Sequence, residues 1–115
     1  MAEYSLAHIG INAANEEEAR KAAELFCTIF GFELKPGNSS IFAGAGIEVM
    51  KEPYLGANGH IAIGTPDVAA AKAELESRGF AFLEDSAKFK ADGKLNAIYL
   101  KDEIGGFAVH LVGKA

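Results

Sequence analysis

The chain holds three histidines, His8, His60 and His110, and each stands in an apolar, strand-like run. His8 lies in His8-Ile9-Gly10-Ile11 and His60 in His60-Ile61-Ala62-Ile63, 52 positions apart. A second echo closes each half: Ala45-Gly46-Ile47-Glu48-Val49-Met50 lines up with Phe107-Ala108-Val109-His110-Leu111-Val112. That alignment sets Glu48 and His110 at equivalent points of an internal repeat. Three imidazoles and a carboxylate suit a divalent zinc, nickel, cobalt, manganese or iron ion, whereas magnesium and calcium prefer oxygen. On a six-coordinate ion such a set leaves one or two positions open. Two adjacent oxygens of an α-oxo or α-hydroxy carbonyl compound could chelate there. The ion would act as a Lewis acid on the charge left when an α-proton departs. Glu48, released from or loosely held by the metal, would be the proton carrier.

These residues need strands to position them. Tyr4 to Asn12 alternates and reads as a strand. Asn15 before Glu16-Glu17-Glu18 reads as a helix start, with carboxylates at the positive end of the dipole. Ala19, Ala22, Ala23, Phe26, Ile29 and Phe30 recur at helical spacing, and Gly31 suits the residue after the helix. Three strand-like runs follow, 32–35, 39–43 and 46–51, divided by Pro36-Gly37-Asn38 and by Gly44. After a linker ending at Gly59 the order restarts with a strand at 60–64. Thr65-Pro66-Asp67 opens a helix with proline in its first turn, Val68, Ala71 and Leu75 form its stripe, and Gly79 closes it. Strands at 80–89, 95–101 and 106–112 complete the half, with a turn at Asp92-Gly93. The expected fold is α+β: a single domain over residues 1–115, with module one at 4–51, a linker at 52–59 and module two at 60–113. Each module reads βαβββ, and the two form one curved mixed sheet.

Alternation places the four candidates on one face. Ile9 and Ile11 oppose His8, Ile61 and Ile63 oppose His60, Ile47 and Val49 oppose Glu48, and Val109 and Leu111 oppose His110. The helices need the branched face to cover, so the four share the other, concave one. A single strand histidine more often satisfies a backbone carbonyl, and a single strand glutamate is usually solvated. Burying all four without an ion or partners would be costly, which favours a metal site. Asn12, Glu52 and Tyr99 could line the same cavity as substrate contacts, or be ordinary strand-end residues.

Composition narrows the partners. With 50% hydrophobic and 23% charged residues the balance is that of a globular domain. A net charge of −5 without a basic cluster argues against a nucleic-acid partner. No run is long enough for a membrane span and no leader is evident, so a cytoplasmic location is expected. The single cysteine, Cys27, excludes an internal disulfide and reads as core packing. Arg20 and Arg78 both fall in helices, which leaves few clamps for a polyanion. Lys88, Lys90, Lys94 and Lys101 could serve a small acid, though a solvated face is the simpler reading.

On these residues the chain resembles the vicinal oxygen chelate superfamily, which includes glyoxalase I, bleomycin-resistance proteins and dioxygenases. The resemblance covers nearly the whole chain. It rests on the paired modules, on His8 in a strand ending Ile-Gly-Ile, on Ile47-Glu48-Val49, on Gly59-His60-Ile61-Ala62-Ile63 and on Gly106-Phe107-Ala108-Val109-His110-Leu111. It implies a divalent metal held by His8, Glu48, His60 and His110, two ligands from each module. The superfamily often has glutamate where this chain has His110, so a two-base epimerase is less expected than a one-base shuttle through Glu48. The runs Ser40-Ile41-Phe42-Ala43-Gly44, Tyr54-Leu55-Gly56, 59–65 and 104–111 further resemble a glyoxalase-like domain associated with bacterial aldolases of 2-keto-3-deoxy sugar acids (2-keto-3-deoxy-6-phosphogluconate or 4-hydroxy-2-oxoglutarate). That resemblance implies a small 2-oxo acid as ligand.

The first expectation is a metal-dependent isomerase or lyase acting on a small chelating substrate. The alternatives are a non-catalytic binding or regulatory module beside such an aldolase, and an iron-dependent dioxygenase. The repeat also suggests a homodimer.

Overall fold

A computed structural model describes residues 2–114. Its elements run β1 (Ser5–Asn12), α1 (Glu16–Phe30), β2 (Leu34–Pro36), β3 (Ser40–Ala43), β4 (Ile47–Met50), β5 (Gly59–Thr65), α2 (Val68–Ser77), β6 (Phe82–Phe89), β7 (Leu95–Leu100) and β8 (Phe107–Gly113). The strands form one eight-stranded sheet in the order β2-β3-β4-β1-β5-β8-β7-β6. The order is symmetric about the β1–β5 junction, and each half is one βαβββ module. This is the glyoxalase-like α+β architecture expected from the repeat.

Asn15 caps α1 by accepting from the Glu18 backbone N–H at 2.9 Å, and Gly31 ends the helix at φ 73°. At α2 the expectation shifts by two residues. Asp67 is the cap, accepting from the Ala70 N–H at 3.0 Å, so Pro66 precedes the helix instead of occupying its first turn. Proline still suits the place, because it fixes an extended approach to the cap.

Each module has its own small core. α1 lies on β3 and β4, and α2 on β7 and β8. Ala19 and Ala23 pack on Ile41 and Val49; Val68 and Ala71 pack on Phe82, Ile98 and Leu111. Fully burying each branched side chain contributes about 1.5–3 kcal/mol. The alanine stripe of α1 lets the helix lie close to the sheet. Its last turn does not follow: Ile29 and Phe30 are exposed. Cys27 is only half-buried.

Candidate metal centre

The sheet register explains how four residues on four strands meet. Glu48 on β4 pairs with Gly10 on β1, Gly10 with His60 on β5, and His60 with Ala108 on β8. One row over, His8 pairs with Ala62 and Ala62 with His110. Each candidate ligand thus alternates across the sheet with a residue that has no side chain beyond Cβ. Backbones two strands apart stand about 10 Å from each other, and only side chains leaning over a small intervening residue can close that gap. Gly10 is the clearest case. A Cβ built there would overlap the Cε1, Nδ1 and Nε2 atoms of the His60 ring.

The result is a compact cluster within one chain. His60 Nε2 lies 3.0 Å from Glu48 Oε1 and 3.3 Å from His8 Nε2, and His8 Nε2 lies 3.2 Å from Glu48 Oε1. One nitrogen from each of His8, His60 and His110 falls within 4.8 Å of the others. Two ligands each about 2.1 Å from one ion stand about 3.0 Å apart at a right angle and about 3.4 Å apart at the tetrahedral angle. The three short separations match the edges of such a polyhedron.

The environment points the same way. Among the described residues, both ring nitrogens of His110 and Nδ1 of His60 are buried without a partner of hydrogen-bond geometry. Unpaired buried groups of this kind cost about 1–3 kcal/mol each, and a ligated cation would recover that cost at the nitrogen facing it. Burial, together with the neighbouring His60 and His8, pushes the His110 imidazole down to about 4, so it is neutral and its lone pair is free near neutral pH. Burial by itself would raise the Glu48 carboxyl. Hydrogen bonds from His60, His8 and Ser40 outweigh it and hold Glu48 well below the usual carboxylate range. Ser40 Oγ donates to Glu48 Oε2 at 2.6 Å, which leaves Oε1 to face the histidines.

Around the cluster runs a cleft of about 410 Å³, lined also by Met50, Tyr54, Ser86 and Lys88. Tyr99 is part of it. Its ring stacks on His110, with centroids 4.6 Å apart and an interplanar angle of 22°, and burial drives its hydroxyl above the ordinary tyrosine range. Asn12 is used otherwise. Its Nδ2 donates to Gly56 O at 3.0 Å and its Oδ1 accepts from Tyr54 N at 3.2 Å, tying the linker to the end of β1. Glu52 lines a neighbouring cavity with Asn15, Glu16 and Lys51 and is not among the residues of the histidine cleft. Sequence reasoning passed over Ser40 and Phe42, whose ring meets His8 edge-on at 5.5 Å. The signal was available: both alternate with Ile41 and Ala43, so they share the face of Glu48.

No protein-family model matches the sequence, and no curated protein matches it. Solved structures do. A methylmalonyl-CoA epimerase variant of Streptomyces coelicolor, in complex with 2-nitronate-propionyl-CoA, has a TM-score of 0.67 at 23% identity, over 96% of this chain and 94% of that one. The methylmalonyl-CoA epimerase of Mycobacterium tuberculosis has a TM-score of 0.67 at 20% identity, over 96% of this chain and 87% of that one. A hypothetical protein from Bacillus halodurans C-125 has a TM-score of 0.66 at 20% identity, over 98% and 96%. At such identities the likeness establishes the shared fold. Among the described residues no helix is long and apolar enough to cross a membrane.

Proposed function

We propose that this chain is a vicinal oxygen chelate protein, a metal-dependent isomerase or lyase acting on a small α-oxo or α-hydroxy carbonyl compound. The observation that carries the reading is the triangle of His8 Nε2, His60 Nε2 and Glu48 Oε1 with sides of 3.0–3.3 Å, beside a His110 whose nitrogens lack hydrogen-bond partners among the described residues. His8, Glu48, His60 and His110 would hold a divalent zinc, nickel, cobalt, manganese or iron ion, which when bound supplies Lewis-acid polarisation of the substrate oxygens.

The chain's own residues do the rest. Glu48 is ionised at neutral pH and Ser40 fixes its Oε2, so Oε1 is the atom that takes the α-proton. The C–H electron pair moves onto the carbonyl oxygen as that proton leaves. For an α-hydroxy carbonyl compound, returning the proton to the former carbonyl carbon, while the hydroxyl proton passes to the former carbonyl oxygen, completes an isomerisation. A carboxylate that accepts from two imidazoles is a weak base. With a metal bound, the His8 and His60 lone pairs would face the ion, their hydrogen bonds to Oε1 would be lost, and a Glu48 released from or loosely held by the ion would be the stronger base. Tyr99 and Met50 line the cleft beside the histidines.

The test is proton exchange at the α-carbon of 2-oxo aldehydes and 2-oxo acids, read by deuterium incorporation with metal-loaded protein. Glu48→Gln is expected to lower the rate by at least about 100-fold, the ordinary contribution of a positioned base. Exchange surviving at full rate would remove Glu48 from the role. Tight ligand binding without exchange in any metal form would instead select a binding module, such as one serving a 2-keto-3-deoxy sugar acid aldolase. Iron-dependent oxygen uptake would select a dioxygenase. A homodimer in the cytoplasm belongs to the same proposal; the exposed Ile29, Phe30 and Phe32 support the dimer, although His8, His60 and His110 already meet within one chain.

A further inference from the structure

The cleft has a second chemical feature, away from the histidines. Lys88 is the only lysine or arginine lining it, and Glu48 is its only carboxylate. Lys21, Lys35, Lys51 and Lys72 each have a carboxylate within 4.0 Å, whereas no ion pair is formed among the described residues by Lys88, Lys90, Lys94, Lys101 or Lys114, and of these five Lys88 alone lines the cleft. An exposed ammonium at the edge of the cleft, with no ion pair among the described residues, is available to an anion from outside.

The backbone is built to put it there. In the β6–β7 ladder Leu83 pairs with Tyr99 and Lys88 with Ala97, so β6 spends five steps where β7 spends two. Ser86 closes the gap: its hydroxyl accepts from Tyr99 N at 2.9 Å and donates to Leu83 O at 2.6 Å. Such bulges bend a strand and re-aim its side chains. Here the bulge brings both Ser86 and Lys88 into the cleft lining, opposite Ala97, whose methyl leaves the lysine stem clear.

We propose that Lys88 binds a carboxylate of the ligand, one that lies beyond the two oxygens facing the histidine cluster. The assignment rests on the proposed function above and narrows its substrate to a dicarboxylic α-oxo or α-hydroxy compound. A lone lysine with Ser39 across the rim suits a carboxylate better than a phosphate, which usually recruits arginine, and no arginine lines the cleft. The volume of about 410 Å³ leaves room for a chain longer than the chelating pair alone.

Two probes with the same chelating head separate the claims: 2-oxobutyrate, which ends in a methyl group, and 2-oxoglutarate, which ends in a carboxylate. Binding is measured by titration calorimetry on the zinc- or nickel-loaded chain. The wild type is expected to prefer 2-oxoglutarate by about tenfold or more, the size of one charge-assisted hydrogen bond. Lys88→Gln removes the preference and leaves 2-oxobutyrate affinity within about twofold, since an exposed surface side chain contributes little to stability. Lys88→Arg restores it in part, and added salt weakens it. Metal-dependent binding of both probes with equal affinity in the wild type, or a preference that survives in Lys88→Gln, overturns the assignment alone. If neither 2-oxobutyrate nor 2-oxoglutarate shows metal-dependent binding to the wild type, the proposed function falls, and this assignment with it.

Discussion

Replacing Gly10 by alanine adds one methyl to the concave face and is expected to dismantle the metal centre while sparing the fold. The added Cβ would overlap three ring atoms of His60. Non-bonded carbons need about 3.5–4.0 Å, so the imidazole has to swing aside by on the order of 1 Å. Metal–ligand distances tolerate only about 0.2 Å, and His60 therefore leaves the ligand set. Gly10 is a β1 residue without positive φ, so alanine is at no backbone disadvantage there and relieves up to about 1 kcal/mol of unfolded-state entropy. An off-rotamer His60 costs about 0.5–1.5 kcal/mol, which roughly cancels that gain.

Metal affinity should fall by at least 10–100-fold, roughly the loss seen when only a supporting partner of a ligand is removed. At a metal concentration about 100 times the wild-type Kd, binding stabilises the wild type by about 2.7 kcal/mol; the weakened variant keeps about 1.4 kcal/mol at tenfold loss and about 0.4 kcal/mol at 100-fold loss. With about 4 °C per kcal/mol, the metal-induced rise in Tm drops from about 11 °C to about 2–6 °C. Differential scanning fluorimetry with and without zinc reads both quantities. A full metal-induced rise in Gly10→Ala, with an unchanged apo Tm, would refute the reasoning that His60 leans over Gly10 to reach the ion.

Two further outcomes follow from the same geometry. In the metal-free protein His110 titrates near 4 when folded and near 6.5 when unfolded, so between those values the unfolded chain binds more protons and stability rises with pH. Urea midpoints should therefore fall as pH drops from 6.5 toward 4, by up to about 3 kcal/mol from this group. The depressed Glu48 adds a further loss below the ordinary carboxylate range, and His110→Phe should remove the upper part of the slope. Asn12→Ala should cost about 1–3 kcal/mol by leaving Tyr54 N and Gly56 O without their partner. Limited proteolysis should then cut first within residues 53–58, and native resistance there would contradict the linker-tying role.

The sequence made the face of each ligand legible, because period-two alternation needs only neighbours: Ile47 and Val49 settle where Glu48 points. It also made the helix caps legible at Asn15 and Gly31, where local chemistry decides. Partnerships across strands were harder. The pairing of Gly10 with both Glu48 and His60 depends on register, which only the internal repeat hinted at. Asn12 looked like a cleft residue because it ends a strand on the concave side, yet the linker's backbone claims it. Glu52 follows β4 and turns to the neighbouring cavity. The helical stripe of α1 could not reveal that Ile29 and Phe30 stay exposed. Nor does alternation foresee a strand in which a serine hydroxyl replaces a ladder bond, as Ser86 does in β6.

The most direct measurement is the metal content of the chain purified without chelator, by plasma mass spectrometry, beside that of a His8→Ala/His60→Ala variant. The account predicts about one divalent transition-metal ion per wild-type chain, or stoichiometric uptake on dialysis against zinc or nickel, and near loss of it in the variant. A wild type that takes up no such ion at any concentration, or a double variant that holds as much as the wild type, would contradict it.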